Sequence, residues 1–209
     1  MNTNLTAREA GAVARAATWA DAEPLAQTMA RAYSDDPLTC FILPDEATRN
    51  VKLPRLFRLL FKLGLPYGAC EVTSGYEAAA LWRPPNQWHI PIWQYITNGA
   101  EFLGLFGVGG AARVIGFMDH IEKRHPQKPH WYLQAIGTHP ANQGKGFGGV
   151  IIRHQLANAD ASALPAYLES SKESNIPIYA SFGFEVTGEI KLPGGPTIYP
   201  MWRKPRAPG

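Results

Sequence analysis

The stretch Ile136-Gly137-Thr138-His139-Pro140-Ala141-Asn142-Gln143-Gly144-Lys145-Gly146-Phe147-Gly148-Gly149 decides how the chain is read. An apolar run ends at a proline turn, and a glycine-rich loop then opens onto a segment with helical periodicity. Glycines leave backbone N–H groups bare, and a following helix adds its positive end. The two together predict a pocket for a pyrophosphate or similar anion. Rival phosphate loops fit poorly. A Walker loop needs Gly four residues before its Gly-Lys-Ser/Thr ending, but His139 stands there and Gly146 replaces the hydroxyl residue. Gly144, Gly146 and Gly149 do spell the dinucleotide-binding spacing. That fingerprint also wants an acidic residue about twenty positions on, in a βαβ context. Glu169 falls a little too far for it. A tight turn that binds nothing is the bland alternative. What is left is the pattern Gln-x-x-Gly-x-Gly, met by Gln143, Gly146 and Gly148.

Working outward, residues 131–138 read as a strand and 148–158 as a helix carrying Val150, Ile151, Ile152 and Leu156. Residues 166–170 read as a strand and 176–182 as a short helix stopped by Gly183. Residues 184–190 and 197–202 read as a hairpin about Pro193-Gly194-Gly195. Upstream, 13–17 reads as a strand, and Asp21 caps a helix ending near Asp36-Pro37. A second helix surrounds Pro54, with Arg55, Arg58 and Lys62 on one side as a solvated face or a phosphate contact. Residues 70–73 and 78–82 are two further strands. A mostly helical stretch over 88–125 is bent at Gly104, Gly107, Gly109 and Gly110. Strands alternating with helices and closed by a hairpin imply a mixed α/β sheet.

At 209 residues, with 45% apolar and 18% charged side chains, the chain is one globular domain rather than a disordered segment. Cys40 and Cys70, the only two cysteines, match neither a disulfide scaffold nor a zinc motif and read as reduced thiols of a cytoplasmic protein. The balance of 20 basic and 17 acidic residues is too even for a nucleic-acid footprint. The most apolar stretch, 102–112, is about half a membrane span, so no membrane partner is expected. Residues 1–12 read as a flexible leader. The spacing of His120, His125 and His130 suits no metal helix, and no metal is assigned.

The Gln143–Gly148 pattern resembles the acetyl-CoA loop of the GNAT superfamily of N-acetyltransferases. Ile136 to Pro140 resembles that family's fourth strand running into its loop. Leu168-Glu169, Asn175, Pro177, Tyr179 and Gly183-Phe184 are similar to its fifth strand, fourth helix and following strand. The resemblance spans about residues 13–203. His125-Pro126, Trp131-Tyr132-Leu133, Asn175-Ile176-Pro177-Ile178-Tyr179 and Met201-Trp202-Arg203-Lys204-Pro205 look like the puromycin N-acetyltransferase branch. It implies an α/β (α+β) GNAT fold: a mostly antiparallel mixed sheet splayed between strands 4 and 5, with helices on both faces. Residues 13–209 would form that single domain, with a helical insertion at 88–125.

The resemblance further implies direct attack of an amine on acetyl-CoA in a ternary complex. Gln143, Gly144, Lys145, Gly146, Phe147, Gly148 and Gly149 would hold the pyrophosphate. Ile136, Gly137 and Thr138 would line the pantetheine, and a bulge near Ile136 would free an N–H for the thioester oxygen. Asn175 would bond the pantetheine amide or else cap a helix. Tyr179 is the expected general acid, with core packing as its alternative. Glu169 is the expected base, with loop anchoring as its alternative and His139 as a second candidate. Tyr33, Asp36, Phe41, Trp82 and Trp131 would form an acceptor pocket for a small, hydrophobic primary amine. Two other functions compete: acetylation of a protein α-amine or lysine, and a non-catalytic acyl-CoA-binding module. A monomer or homodimer is expected.

Overall fold

The computed structural model describes residues 6–206. In chain order the elements are β1 (Ala14–Ala16), α1 (Ala22–Ala32), α2 (Pro37–Ile42), α3 (Glu46–Gly64), β2 (Cys70–Thr73), β3 (Ala78–Arg83), α4 (Ile92–Thr97), α5 (Gly99–Glu122), β4 (Trp131–Thr138), α6 (Phe147–Ala161), β5 (Ala166–Ser170), α7 (Ile176–Ser181), β6 (Glu185–Val186), β7 (Ile190–Lys191) and β8 (Thr197–Arg203). The strands form one open sheet in the order β1-β2-β3-β4-β5-β8-β6, with β7 also on β8. Every pairing is antiparallel except β4 with β5.

Successive side chains of a strand point to opposite faces, and β3 shows both faces covered. Ala78, Ala80 and Trp82 pack with Phe147, Ile151, Ile152 and Leu156 of α6. Ala79 and Leu81 pack with Leu25, Ala26 and Met29 of α1 and with Leu53, Phe57 and Phe61 of α3. Helices therefore lie on both faces, as the GNAT resemblance implies. Trp82 is fully buried in the first of these cores, so it walls no acceptor pocket. Its position in the middle of a two-sided strand outweighs its nearness to Pro84.

Two other expectations change. The closing hairpin is split, because Thr187-Gly188-Glu189 leaves the ladder and Thr187 N–H reaches Pro200 O at 2.9 Å. The basic stripe of α3 is exposed, as the solvated-face reading expects, and also touches neighbours. Lys62 Nζ donates to Asn98 Oδ1 at 2.8 Å, and the Arg58 guanidinium lies 5.7 Å from the Trp19 ring centre. A Cβ on Gly104 of α5 would stand 3.3 Å from Arg55 Nη2. Finally, Ala7 and Ala12 of the expected leader pack on the core: Ala7 is buried, and its N–H donates to Lys145 O at 2.8 Å. Residues 1–5 and 207–209 lie outside the described residues.

The expected bend in the insertion is present. Gly107 adopts φ 65° within α5, and the axis turns by 87° between Gly99–Ala111 and Arg113–Glu122. Glycine tolerates that dihedral without a Cβ clash. No single described helix is long and apolar enough to cross a membrane.

The last strand is clamped to the far end of α6. Arg203 meets Asp160 through two parallel bonds of 2.7 and 2.8 Å and also donates to Phe182 O. The fork holds the Asp160 carboxyl below its usual range. A depressed carboxylate stabilises the fold above its unfolded pKa, and that contribution is lost as pH falls through the folded value. Asp160→Ala leaves a buried guanidinium unpaired. A loss of about 3–5 kcal/mol is expected at neutral pH, read by urea denaturation, with the gap to the parent narrowing in acid.

Candidate active site

Only three residue pairs join β4 to β5: Trp131 with Ala166, Tyr132 with Tyr167, and Leu133 with Leu168. Beyond them the strands diverge, since β4 runs on to Thr138 and β5 to Ser170. The cause lies on the other side of β4. Leu81 of β3 pairs with Ala135 while Trp82 pairs with Leu133, so Gln134 is an extra residue. Such a bulge bends its strand and increases the twist. It falls at Gln134, two positions before the expected Ile136. Gln134 Oε1 accepts from Arg83 Nε at 3.1 Å, which fixes the bulge from the α3 side.

The splay opens into a cleft of about 1260 Å³. On one side stand the loop and α6. Gly144 and Gly146 have φ of 75° and 90°, so the chain turns sharply there before α6 begins. Among the described residues, no acceptor takes the N–H groups of Gly144, Gly146, Gly148 or Gly149. All four glycines line the cleft, as does Gln143, whose side-chain amide donates to Thr138 O at 3.2 Å. A helix start with bare N–H groups is a ready anion site. Two loop residues behave otherwise. Phe147 is buried in the core, and Lys145 Nζ turns back to Ala141 O at 2.7 Å.

Ile136, Gly137 and Thr138 line the same cleft. Gly137 is obligatory for close packing, because a Cβ there would sit 2.7 Å from the Ala32 Cβ of α1. The Ile136 N–H is not left free as expected. It donates to Tyr33 Oη at 3.2 Å, so a phenol from the end of α1 bridges into the splay. Burial pushes that phenol well above its ordinary value, keeping it protonated.

Tyr179 and Asn175 reach the cleft from α7 and the turn before it. One side of the Tyr179 ring meets Phe184 edge-on at 6.3 Å, while its hydroxyl has no hydrogen-bond partner among the described residues. Burial, helped by the Asp36 charge, pushes the Tyr179 phenol up to about 12. Asn175 makes no capping bond with its side chain. Glu169 also lines the cleft, with its carboxylate held by Tyr132 Oη at 2.8 Å, Tyr167 Oη at 3.0 Å and His125 Nδ1 at 3.2 Å. His139 instead closes its own turn, its Nδ1 accepting from Ala141 N–H at 3.3 Å.

The acceptor residues mostly separate. Tyr33 and Asp36 line the cleft, but Asp36 is fully engaged. Its Oδ1 accepts from Leu38 and Thr39 N–H at 3.0 Å each, capping α2, and its Oδ2 accepts from Ser171 Oγ. Phe41 packs on Phe117 at 4.7 Å in a separate small pocket. Trp131 packs on the α6 core and donates to Ser162 Oγ. A different set takes their place. Leu56 and Leu60 of α3 face Phe102, Phe106 and Met118 of α5 across the cleft.

No protein-family model matches the chain. A relative from Schizosaccharomyces pombe, an uncharacterised N-acetyltransferase, is 25% identical over 183 residues, which is 82% of this chain and 74% of the relative. A solved structure from Corynebacterium glutamicum, described as a histone acetyltransferase and related acetyltransferase, matches with a TM-score of 0.72 at 25% identity. It covers 94% of this chain and 98% of its own. An arylalkylamine N-acetyltransferase from Aedes aegypti shares the fold at TM-score 0.63 and 10% identity, over 93% and 99% of the two chains. The chain is an acyltransferase of the GNAT fold. The part of the cleft away from the glycine loop, however, is built largely from residues that composition and motif do not single out.

Some of those residues left a signal in the sequence. Arg153 lies four positions after Gly149, one helical turn along α6, and lines the cleft beside the glycines. It adds a charge to an amide cradle. Lys172 lines the cleft too, held by Asp35 at 2.7 Å. His125, His130, Tyr132 and Tyr167 gather round Glu169 from three separate segments, which no single-stretch pattern reveals.

Gly146→Ala tests the cradle. A Cβ at φ 90° is strained, typically by about 1–3 kcal/mol, and relief of that strain must reshape the loop. Coenzyme A affinity, read by calorimetry, is expected to fall at least about tenfold with little change in melting temperature.

Proposed function

We propose that the protein transfers the acetyl group of acetyl-CoA to the primary amine of a small molecule with an apolar body, by direct attack in a ternary complex. One observation carries this reading. The cleft that holds the bare glycine amides is continuous with an apolar arm between α3 and α5. Anion-binding loop, splayed strands and apolar arm are then one site. The resemblance of the C-terminal half to the puromycin N-acetyltransferase branch also supports a small amine. Roofing by α5 favours it over a protein substrate, which would need an open groove.

In this reading the loop amides and Arg153 hold the diphosphate. Backbone groups of Ile136 and Thr138 align the pantetheine arm as though it were an added strand, and the Asn175 amide bonds it. Leu56, Leu60, Phe102 and Phe106 take the body of the amine. Glu169 removes a proton from the incoming ammonium.

Tyr179 gives its proton to the departing thiolate. A phenol near 12 looks too weak an acid for a thiol that titrates at ~8.5 in water. Burial away from water raises a thiol as it raises a phenol, which narrows that gap for a thiolate formed beside Tyr179.

The test mixes purified protein and acetyl-CoA with hexylamine, 2-phenylethylamine or a peptide with a free α-amine, and follows thiol release. The apolar amines are expected to be acetylated fastest. Tyr179→Phe is expected to lower kcat about a hundredfold while calorimetric affinity for acetyl-CoA stays near the parent value. Preference for the peptide would move the acceptor to proteins, and acetyl-CoA binding without transfer to any amine would favour a sensor. A Phe variant as fast as the parent removes Tyr179 as the acid.

A further inference from the structure

The carboxylate of Glu169 lies at the cleft wall, and behind it a line of polar atoms runs away from the cleft. His125 Nδ1 stands 3.2 Å from Glu169 Oε1, His125 Nε2 stands 3.0 Å from His130 Nε2, and His130 Nδ1 stands 2.6 Å from Lys128 O. Both rings are buried, at 5% and 1% exposure. Each of these three contacts needs a hydrogen between its heavy atoms. A carbonyl only accepts, so His130 carries a proton on Nδ1. Two neutral imidazoles bring two protons, and the three contacts require three. The third belongs to Glu169, His125 and His130 as a set, which it makes electrically neutral.

The surroundings say where that proton rests. Burial, with His125 adjacent, holds His130 below the ordinary imidazole value despite its bond to Lys128 O. From β4 and β5, Tyr132 and Tyr167 donate to opposite oxygens of Glu169 and so favour the bare carboxylate. Trp88 stacks on His125 at 4.0 Å and an interplanar angle of 20°, a ring face that stabilises a cation. The two imidazoles face each other rather than a common centre, and no cluster among the described residues could hold a metal ion.

We propose that His125, backed by His130, is the positioning residue of the general base: it shares one proton with Glu169 and so keeps that carboxylate ionised and fixed at the cleft wall. The proposal rests on Glu169 being the base. When Glu169 takes the ammonium proton, an N–H bond breaks and an O–H bond forms, and the neutral amine attacks the thioester. The surplus charge on the set is shared with the two imidazoles until the proton returns to solvent. The balance closes, since ammonium and thioester yield amide, thiol and one proton.

Two readouts test it. The first uses the full chain with ¹⁵N-labelled histidine, at about pH 8, beside Glu169→Gln. One buried ring protonated on both nitrogens is expected in the parent. Two neutral rings are expected in the variant, whose amide can itself donate to His125 Nδ1. Two neutral buried rings in the parent, or a doubly protonated ring that persists in the variant, overturns the proposal. The second uses acetyl-CoA and 2-phenylethylamine with His125→Gln, which keeps a donor but no charge. Its acidic limb of kcat/KM is expected to move up by about one pH unit, a tenfold loss near neutrality that is recovered in alkali. A loss of equal size at every pH marks His125 as merely structural. The nitrogen readout needs no turnover, so failure of acetyl transfer and failure of the proton count are separate results.

Discussion

The parallel contact between β4 and β5 ends after three pairs because β4 is bent by an extra residue at Gln134. That one irregularity, anchored by Arg83 from behind, turns the middle of a sheet into a site. Beyond the last pair, side chains take strand groups that β5 no longer reaches: Tyr33 Oη accepts from Ile136 N–H, and the Gln143 amide donates to Thr138 O. The glycine loop follows at the end of the same strand, and α6 starts from the loop. The bend in β4 thus aims the amides of one end and the splay of the middle at a common volume. On the opposite wall, β5 ends with Glu169 and Ser170, so the strand that departs delivers the carboxylate.

Burial governs the chemistry of that volume more than any single charge does. Tyr33, Tyr132, Tyr167 and Tyr179 are all held in the phenol form, chiefly by desolvation. Three of them, Tyr33, Tyr132 and Tyr179, line the opening as neutral groups, and Tyr167 stands behind Glu169. Such groups stabilise developing negative charge without adding to the fixed charges of Arg153 and Lys172 in the same cleft. Glu169, like Asp36 on the same wall, has donors on both carboxylate oxygens.

Local pattern made much of this legible. The apolar runs of β3 and β4, the glycine loop and the short helix around Tyr179 are each written in one continuous stretch, and the GNAT resemblance implies their order. What depends on distant segments was not legible. Trp82 and Phe41 have the composition of pocket walls, yet a central strand buries the first and Phe117 captures the second. Asp36 has the chemistry of an ammonium partner, but its oxygens are spent on capping α2 and on Ser171. The apolar arm is made by α3 and α5, whose facing residues look like ordinary helix cores until the helices cross. The histidine pair behind Glu169 is separated from it by about forty positions, so only the folded sheet shows that it belongs to the site.

The links from Asp36 to Ser171 and from Asp35 to Lys172 tie the α1–α2 corner to the end of β5. Two straps across one rim leave that side little freedom to part. The opposite rim is α5, whose axis already breaks near Gly107 and which contributes exposed apolar residues such as Leu103 and Ile115. The cleft is thus framed by one rim cross-linked through polar side chains and another whose helix turns at a single glycine.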